Sequence, residues 1–219
     1  MKKQLQISIL EELLDLLKAA DPVDRESAIM RLNFYCNDLR VVEPLLEALD
    51  DVDARVRAAA AHRLGVTGNY PEVAPAARKA VNRLVALLED ENVDVVASAI
   101  YALGKIGDSS VGSELLPFLD YPDTPHVKVR RITIESLGAL RYQPAIPHLC
   151  RLLHDAAPEV RHDAILALFS MRHISRNVKE VIRLIADDPD SPLHNKAQKL
   201  IEIIIDEENS CGEILQLPT

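Results

Sequence analysis

The sequence predicts an all-α protein, an α-solenoid of about six helix pairs. A two-segment motif recurs along the chain in steps of 32, 39, 34, 31 and 33 residues. Neither segment shows the period-two alternation of a β-strand. One pair of helices cannot bury its own apolar face, so repeats of this length must stack on one another. The last aliphatic residue of the second segment recurs at Leu32, Leu64, Leu103, Leu137, Leu168 and Ile201.

Each repeat has a first segment that ends in an acidic turn, such as AVNRLVALLED at 80–90, and a second segment such as VDVVASAIYALG at 93–104. Apolar residues at helical spacing in both segments predict amphipathic helices. We expect one solenoid over residues 1–209 and a C-terminal tail over 210–219. The predicted helix pairs span approximately 5–34, 41–66, 80–107, 111–140, 144–173 and 177–206.

Three positions align within each second segment at intervals of four residues. In the second repeat they are Val56, Ala60 and Leu64. This spacing places them on one stripe of a helix. The stripe is the predicted core, and its small middle residue allows neighbouring helices to approach closely.

Glycine and proline predict where the second helices begin and end. Gly65, Gly104 and Gly138 follow the terminal leucines, and we expect them to close the helices as left-handed C-caps. Pro22 and Pro158 stand between the paired segments, where proline favours the first turn of a helix.

Composition excludes several classes of protein. Aromatic residues make up 4% of the chain and Trp is absent, so the core must be aliphatic. A net charge of −9 argues against a nucleic-acid partner. Three cysteines without a Cys-x-x-Cys pair indicate free thiols in a reducing compartment. Acidic residues interrupt the N-terminal apolar stretch, and no window reaches the length of a membrane span. We therefore expect a cytoplasmic protein without membrane insertion.

The pattern LLxxLxDxxxxVRxxAxxALG resembles HEAT repeats, and its short loops resemble the phycobilin-lyase-type (PBS lyase) HEAT-like family. The resemblance covers about residues 5–209 and is clearest over 41–176. It implies that the second helix of each pair lines a concave surface. Such repeats occur in lyases, scaffolds and adaptors, so the resemblance predicts the fold and leaves the function open.

Two positions of each second segment lie off the core stripe, two and six residues after its first apolar residue. We expect them to form the floor of the concave surface, with Tyr101 and Leu166 as anchors for a partner. The alternative is that these side chains cover their own neighbouring repeats. The positions hold Ala58, His62, Ala97, Tyr101, Arg131, Glu135, His162 and Leu166.

Residues 126–183 form a basic section in an acidic chain. They contain ten Lys or Arg, five Asp or Glu and five of the seven histidines. This section is predicted to attract an acidic surface of a protein partner. Arg172 and His173 lie within it and complete the set of candidate binding residues. The alternative is a solvated charged face without a partner.

An acidic turn residue and an arginine recur at fixed spacing, as Asp51 with Arg57 and Asp155 with Arg161. We expect these residues to brace adjacent turns and to satisfy loop amides. A charged binding ladder is the alternative. In the third repeat Asp90 has no arginine at the same spacing, so we expect the pair to be broken there.

Neither catalytic residues nor a metal site are predicted. His148, His154 and His162 do not fall on one helix face, and no phosphate-binding or nucleophile motif is present. We expect a non-catalytic scaffold or adaptor without a cofactor. The alternative implied by the resemblance is a lyase-like enzyme, or a phycobilisome assembly or degradation factor that acts on bilin–protein complexes. Its phycobilin propionates would then contact Arg131, His162 and Arg172.

Overall fold

The computed structural model describes residues 2–120, 127–171, 176–187, 194–195, 197–199 and 201–202. Within these ranges the chain forms twelve α-helices and no β-strand. The predicted all-α repeat fold is confirmed. The chain divides into two compact units, Met1–Tyr142 and Gln143–Thr219. That residues 1–209 form one solenoid stays a prediction.

The first unit alternates first and second helices, and from the second pair onward the first helix is the shorter of the two. The first helices are α1 (Lys2–Leu16), α3 (Val42–Ala48), α6 (Val81–Ala86) and α8 (Gly112–Leu115). The second helices are α2 (Pro22–Arg31), α4 (Ala54–Thr67), α7 (Val93–Ile106) and α9 (Val127–Ala139). The connection between α4 and α6 contains the short helix α5 (Ala74–Ala77). 3₁₀ turns lie at Leu32–Tyr35, Leu39–Val41, Arg78–Ala80, Leu87–Glu89, Ser109–Val111 and Leu116–Asp120.

The second unit continues the pattern. A 3₁₀ turn at Gln143–Ala145 leads into α10 (Ile146–Leu152), which packs against α11 (Pro158–Ser170). The next first helix is α12 (Arg176–Ala186).

The second helices of the first unit pack side by side, α2 on α4, α4 on α7 and α7 on α9. The predicted core stripe is confirmed, because Val56, Ala60 and Leu64 are completely buried. The equivalent residues of α7 and α9 are equally inaccessible. They are Val95, Ala99, Leu103, Val129, Thr133 and Leu137. Thr133 satisfies its buried hydroxyl by donating to the Val129 carbonyl at 2.8 Å.

Polar side chains define the starts of the second helices. Asp21, Asp53 and Asn92 each accept a hydrogen bond from a backbone amide in the first turn of α2, α4 and α7. Pro22 and Pro158 lie in the first turn of α2 and α11, as predicted.

The predicted glycine C-caps are wrong, because Gly65, Gly104 and Gly138 lie inside α4, α7 and α9. At two of them the reason is close approach between helices. A Cβ on Gly65 would lie 2.7 Å from Ala102 Cα, and a Cβ on Gly104 would lie 2.6 Å from Ser136 Cβ. Glycine at these positions lets α4 and α9 pack tightly against α7.

The C-cap of α7 is Gly107, three residues after Gly104, and it adopts the left-handed conformation with a φ of 80°. Beside the close approach of α7 and α9, the buried Ser136 hydroxyl donates to the Ile100 carbonyl at 3.1 Å. Glycine therefore has two roles in these helices, close packing between helices at Gly65 and Gly104 and helix capping at Gly107. The sequence pattern does not distinguish these roles.

No helix in the described part of the chain combines the length and apolar character that crossing a membrane requires.

Candidate functional site

Side chains from α4, α7 and α9 form a row across the second helices of the first unit. The rings of His62 and Tyr101 stack, with centroids 4.7 Å apart and planes 8° from parallel. The Lys105 ammonium lies 5.3 Å from the Tyr101 ring centroid and 3.2 Å from Glu135 Oε1. We call these four residues the surface row.

Three candidate residues from the sequence, His62, Tyr101 and Glu135, thus lie in one row. Lys105 was missed. It follows Tyr101 by four residues, so the helical spacing that places both on one face was available in the sequence.

The imidazole of His62 is held in its neutral form at physiological pH. Partial burial against the neighbouring ring lowers its pKa, and the positive charge of the adjacent Arg63 lowers it further. A neutral imidazole offers one donor and one acceptor to a partner.

Arg63 itself points inward and is almost completely buried. Its guanidinium donates to the carbonyls of Ile29 at 3.2 Å and Met30 at 3.1 Å, and to the Asn33 side chain. These bonds add a side-chain donor to carbonyls at the C-terminal end of α2. This contact, which attaches α2 to α4, was not predicted from the sequence.

A cavity of about 370 Å³ adjoins the surface row on the faces of α2, α4 and α7. Met30 beside it is 57% exposed, and Phe34, four residues further on, is 84% exposed. The cavity is lined by Glu26, Met30, Ala54, Arg55, Ala58, Ala59, His62, Asn92, Asp94 and Ser98.

Two charged residues of the cavity are already paired. Arg55 donates two hydrogen bonds to the Asp53 carboxylate, at 3.1 and 2.8 Å, and these bonds lower the pKa of Asp53 to about 2. Asp94 lies 2.8 Å from the Lys128 ammonium of α9. The lining of the cavity therefore combines small alanine side chains with charged residues, two of which are neutralised by their neighbours.

Ala58 is half-buried and lines the cavity. Its counterpart Ala97 is buried, with 3% of its surface exposed. The expectation that Ala97 lies off the core is therefore wrong, because α7 is enclosed between α4 and α9. Arg131 is exposed on α9.

Two further candidate residues lie on α11 of the second unit. His162 is half-buried, and its Nδ1 lies 3.2 Å from Asp163 Oδ1. Leu166 is 42% exposed. Arg172 and His173 lie outside the described residues.

The aspartates of two acidic turns pair with an arginine of the preceding repeat. The prediction that aspartate and arginine pair within one repeat is therefore corrected. Arg57 donates to both carboxylate oxygens of Asp90, at 2.8 and 3.0 Å. Arg25 donates to both oxygens of Asp51, each at 2.7 Å. The expected break at Asp90 is therefore wrong. Each hydrogen bond lowers the pKa of the aspartate that accepts it.

The predicted bracing role is confirmed. Arg57 also donates to the carbonyls of Asp51 and Val52, and Arg161 donates to those of Asp155 and Ala156. The Asp155 carboxylate accepts from the Ala157 amide at 2.9 Å. These residues hold the turns, so they are not available as a binding ladder.

No group of three or more His, Cys, Asp and Glu side chains in the described ranges is placed to hold a metal ion. Burial raises the pKa of the Cys150 thiol, which disfavours the thiolate that a nucleophile or metal ligand requires.

The model of the family described as HEAT repeats matches residues 10–82 and 114–202. The chain therefore belongs to the HEAT-repeat family. Among curated proteins, no sequence matches this chain.

Solved structures show the same architecture. The complex of CpcE and CpcF of phycocyanin lyase from Nostoc sp. PCC7120 is similar at 25% identity and a TM-score of 0.69, over 86% of this chain and 74% of that one. A designed armadillo repeat protein is similar at 18% identity and a TM-score of 0.63, over 88% and 98%. An engineered protein is similar at 22% identity and a TM-score of 0.66, over 90% and 96%.

Proposed function

We propose that this HEAT-repeat chain is a non-catalytic scaffold or adaptor that binds a protein partner on the faces of its second helices. The observation that carries the proposal is the continuous face formed by the surface row and the adjoining 370 Å³ cavity. His62 belongs to both.

The chemistry of this face suits protein binding. Tyr101 and Met30 supply aromatic and thioether surface of the kind enriched in protein interfaces. The polar groups of the row engage one another, with Tyr101 against His62 and Lys105 bonded to Glu135. Because no nucleophile is paired with a base in this row, the arrangement supports recognition over catalysis.

The partner's charge is a separate part of the proposal. The basic section 126–183, with Arg131 exposed on α9, favours an acidic partner surface. Reversing the charges of Arg131 and Arg172 should weaken binding and reduce its dependence on salt concentration. Unchanged affinity in this double variant would remove the acidic partner from the proposal.

We place this function in the cytoplasm. The free thiols of Cys36 and Cys150 support a reducing compartment.

Affinity capture from a lysate of the source organism, read by quantitative mass spectrometry, tests protein binding on this face. The variant Tyr101→Ala/Lys105→Ala removes half of the surface row. Tyr70→Ala/Lys79→Ala removes the same residue types from exposed positions elsewhere and is the matched control. We expect a protein that is captured by wild type and the control and lost with the row variant. Equal capture by all three baits would contradict the proposal.

The structural likeness to the CpcE and CpcF complex of phycocyanin lyase favours a second candidate function. In this alternative the chain handles an open-chain bilin on a phycobiliprotein, acting as a lyase or as an assembly or degradation factor. A bilin propionate would contact Arg131 of the first unit or His162 of the second. An absorbance scan of bilin with purified protein should then show a spectral shift that Arg131→Ala/His162→Ala reduces. An unchanged bilin spectrum would exclude this alternative.

A further inference from the structure

A second and larger cavity, of about 600 Å³, lies between the first helices α1 and α3. It shares no lining residue with the cavity beside the surface row. We call it the first-helix groove. It is lined by Glu11, Leu14, Asp15, Leu17, Lys18, Pro44, Glu47, Ala48 and Asp51.

Both walls of the first-helix groove have the same helical spacing. The α1 wall consists of Glu11, Leu14, Asp15 and, in the turn after the helix, Lys18, which fall at i, i+3, i+4 and i+7. The α3 wall repeats this spacing with Pro44, Glu47, Ala48 and, in the turn after the helix, Asp51. Each wall therefore presents one continuous helix face to the groove.

The floor of the groove is apolar and incompletely covered. Leu14 and Leu17 on one wall and Pro44 and Ala48 on the other are all half-buried. Partly exposed aliphatic groups that face each other across a groove gain free energy when apolar side chains cover them.

The edges of the groove carry net negative charge. Two of its four carboxylates are paired, because Asp15 binds the Lys18 ammonium at 3.3 Å and Asp51 binds the Arg25 guanidinium at 2.7 Å. The other two, Glu11 on α1 and Glu47 on α3, are exposed on opposite walls. Glu11 lies within electrostatic range of the Arg40 guanidinium, which itself binds Asp38 at 2.7 Å.

We propose that the first-helix groove binds an amphipathic helix with basic flanks, supplied by a partner protein. Apolar side chains of that helix would cover the leucine and proline floor, and its Lys or Arg residues would meet Glu11 and Glu47. Recognition of an amphipathic helix in a groove uses this combination of apolar floor and complementary charged rim. The groove would give a scaffold a second binding surface, distinct from the face of the second helices.

The probe for the test is a synthetic labelled peptide with Leu at i, i+3, i+4 and i+7 and Lys on both flanks. Fluorescence anisotropy measures its binding to the 219-residue chain. We expect saturable binding, and none by the same peptide with Glu in place of Lys. Glu11→Lys/Glu47→Lys should weaken binding about tenfold. The matched charge reversal Glu72→Lys/Glu91→Lys, at exposed positions away from the groove, should leave affinity within about twofold of wild type.

A variant without charge change tests the apolar floor. Ala48→Phe should fill the groove and weaken binding, and circular dichroism checks that the helical fold is retained. Absence of saturable binding to wild type would overturn the proposal. Equal losses in the two charge-reversed variants would also overturn it, because they would show attraction to the overall negative charge of the protein.

The surface-row variant Tyr101→Ala/Lys105→Ala separates this proposal from the proposed function. It should leave peptide binding unchanged while abolishing capture of the second-helix partner. Loss of peptide binding in this variant would contradict a separate groove site.

Discussion

Arg57 of the second helix pair donates two hydrogen bonds to the carboxylate of Asp90 in the third pair. The same guanidinium also holds the carbonyls of the turn within its own repeat. One side chain therefore fixes a loop and joins it to the next repeat. Arg25 and Asp51 form the equivalent link one repeat earlier.

The Arg57–Asp90 link should contribute measurably to stability. Both side chains are mostly buried, so Arg57→Ala leaves a carboxylate and two carbonyls without their donor. We expect a loss of about 2 kcal/mol in the free energy of unfolding. Arg55→Ala, which removes a more exposed pairing within one repeat, should cost less. Chemical denaturation measures both variants, and an Arg57→Ala protein as stable as wild type would refute this role.

The paired aspartates predict a loss of stability in acid. Arg25 and Arg57 hold the pKa values of Asp51 and Asp90 below their usual range, and the pKa of Asp53 is about 2. A carboxyl group that is more acidic in the folded state stabilises the protein above its unfolded pKa, near 3.9. This stabilisation should fall as the pH decreases through the folded pKa values.

Denaturant unfolding across a pH series measures this dependence. The variant Asp51→Asn/Asp90→Asn should be less stable at neutral pH and should show a shallower decrease in acid. If it kept the wild-type pH dependence, these two carboxylates would not be responsible.

Gly65 should resist substitution because α4 and α7 meet there. A Cβ would lie 2.7 Å from the Ala102 backbone, so Gly65→Ala should separate the two helices and cost about 1–3 kcal/mol. Gly68→Ala is the matched control, because its φ of −60° suits alanine and the nearest atom is the side-chain Cγ1 of Ile106 at 3.0 Å instead of backbone. Thermal denaturation should show a lower melting temperature for Gly65→Ala than for Gly68→Ala. Equal melting temperatures would contradict the close approach.

The stacked pair on the surface row makes a prediction for the titration of His62. Burial and Arg63 lower its pKa, so the His62 resonance in NMR should titrate below the usual value near 6.5. Tyr101→Ala removes the stacked ring and should raise the pKa toward that value, whereas Tyr70→Ala should not. A His62 that titrates at its usual pKa in wild type would contradict the described environment.

The sign of the His62 effect on stability is the same as for the aspartates. An imidazole whose pKa is lowered by folding binds protons more readily in the unfolded chain. Stability is therefore lost as the pH falls below the unfolded pKa and reaches its lower limit beneath the folded one.

The features that depend on a single helix could be predicted from the sequence. The core stripe of Val56, Ala60 and Leu64 follows from helical spacing, and burial confirms it. The same spacing placed His62 and Tyr101 on an outward face. These inferences needed no knowledge of how one repeat lies against the next.

The errors arose where contacts cross between repeats. From the sequence, Arg57 was predicted to pair with Asp51, six residues before it. In the structure its carboxylate partner is Asp90, 33 residues after it. Gly65 was predicted to be a helix cap because glycine is favoured both at helix ends and where two helices pack closely together. Arg63 was missed because its partner, the end of α2, belongs to the neighbouring repeat. Helical spacing places Lys105 on the face of Tyr101, but it does not predict the bond from Lys105 to Glu135 of the next repeat. The offset between stacked repeats is a tertiary property that periodicity alone does not supply.

The most direct test of the central claim is photo-crosslinking in a lysate of the source organism. A photoreactive amino acid replaces Ala58, in the cavity beside the surface row, or Asn82, exposed on the first helix α6. If the faces of the second helices bind the partner, position 58 should yield a discrete protein adduct and position 82 should not. An adduct from position 82 alone, or the same adducts from both positions, would contradict the account.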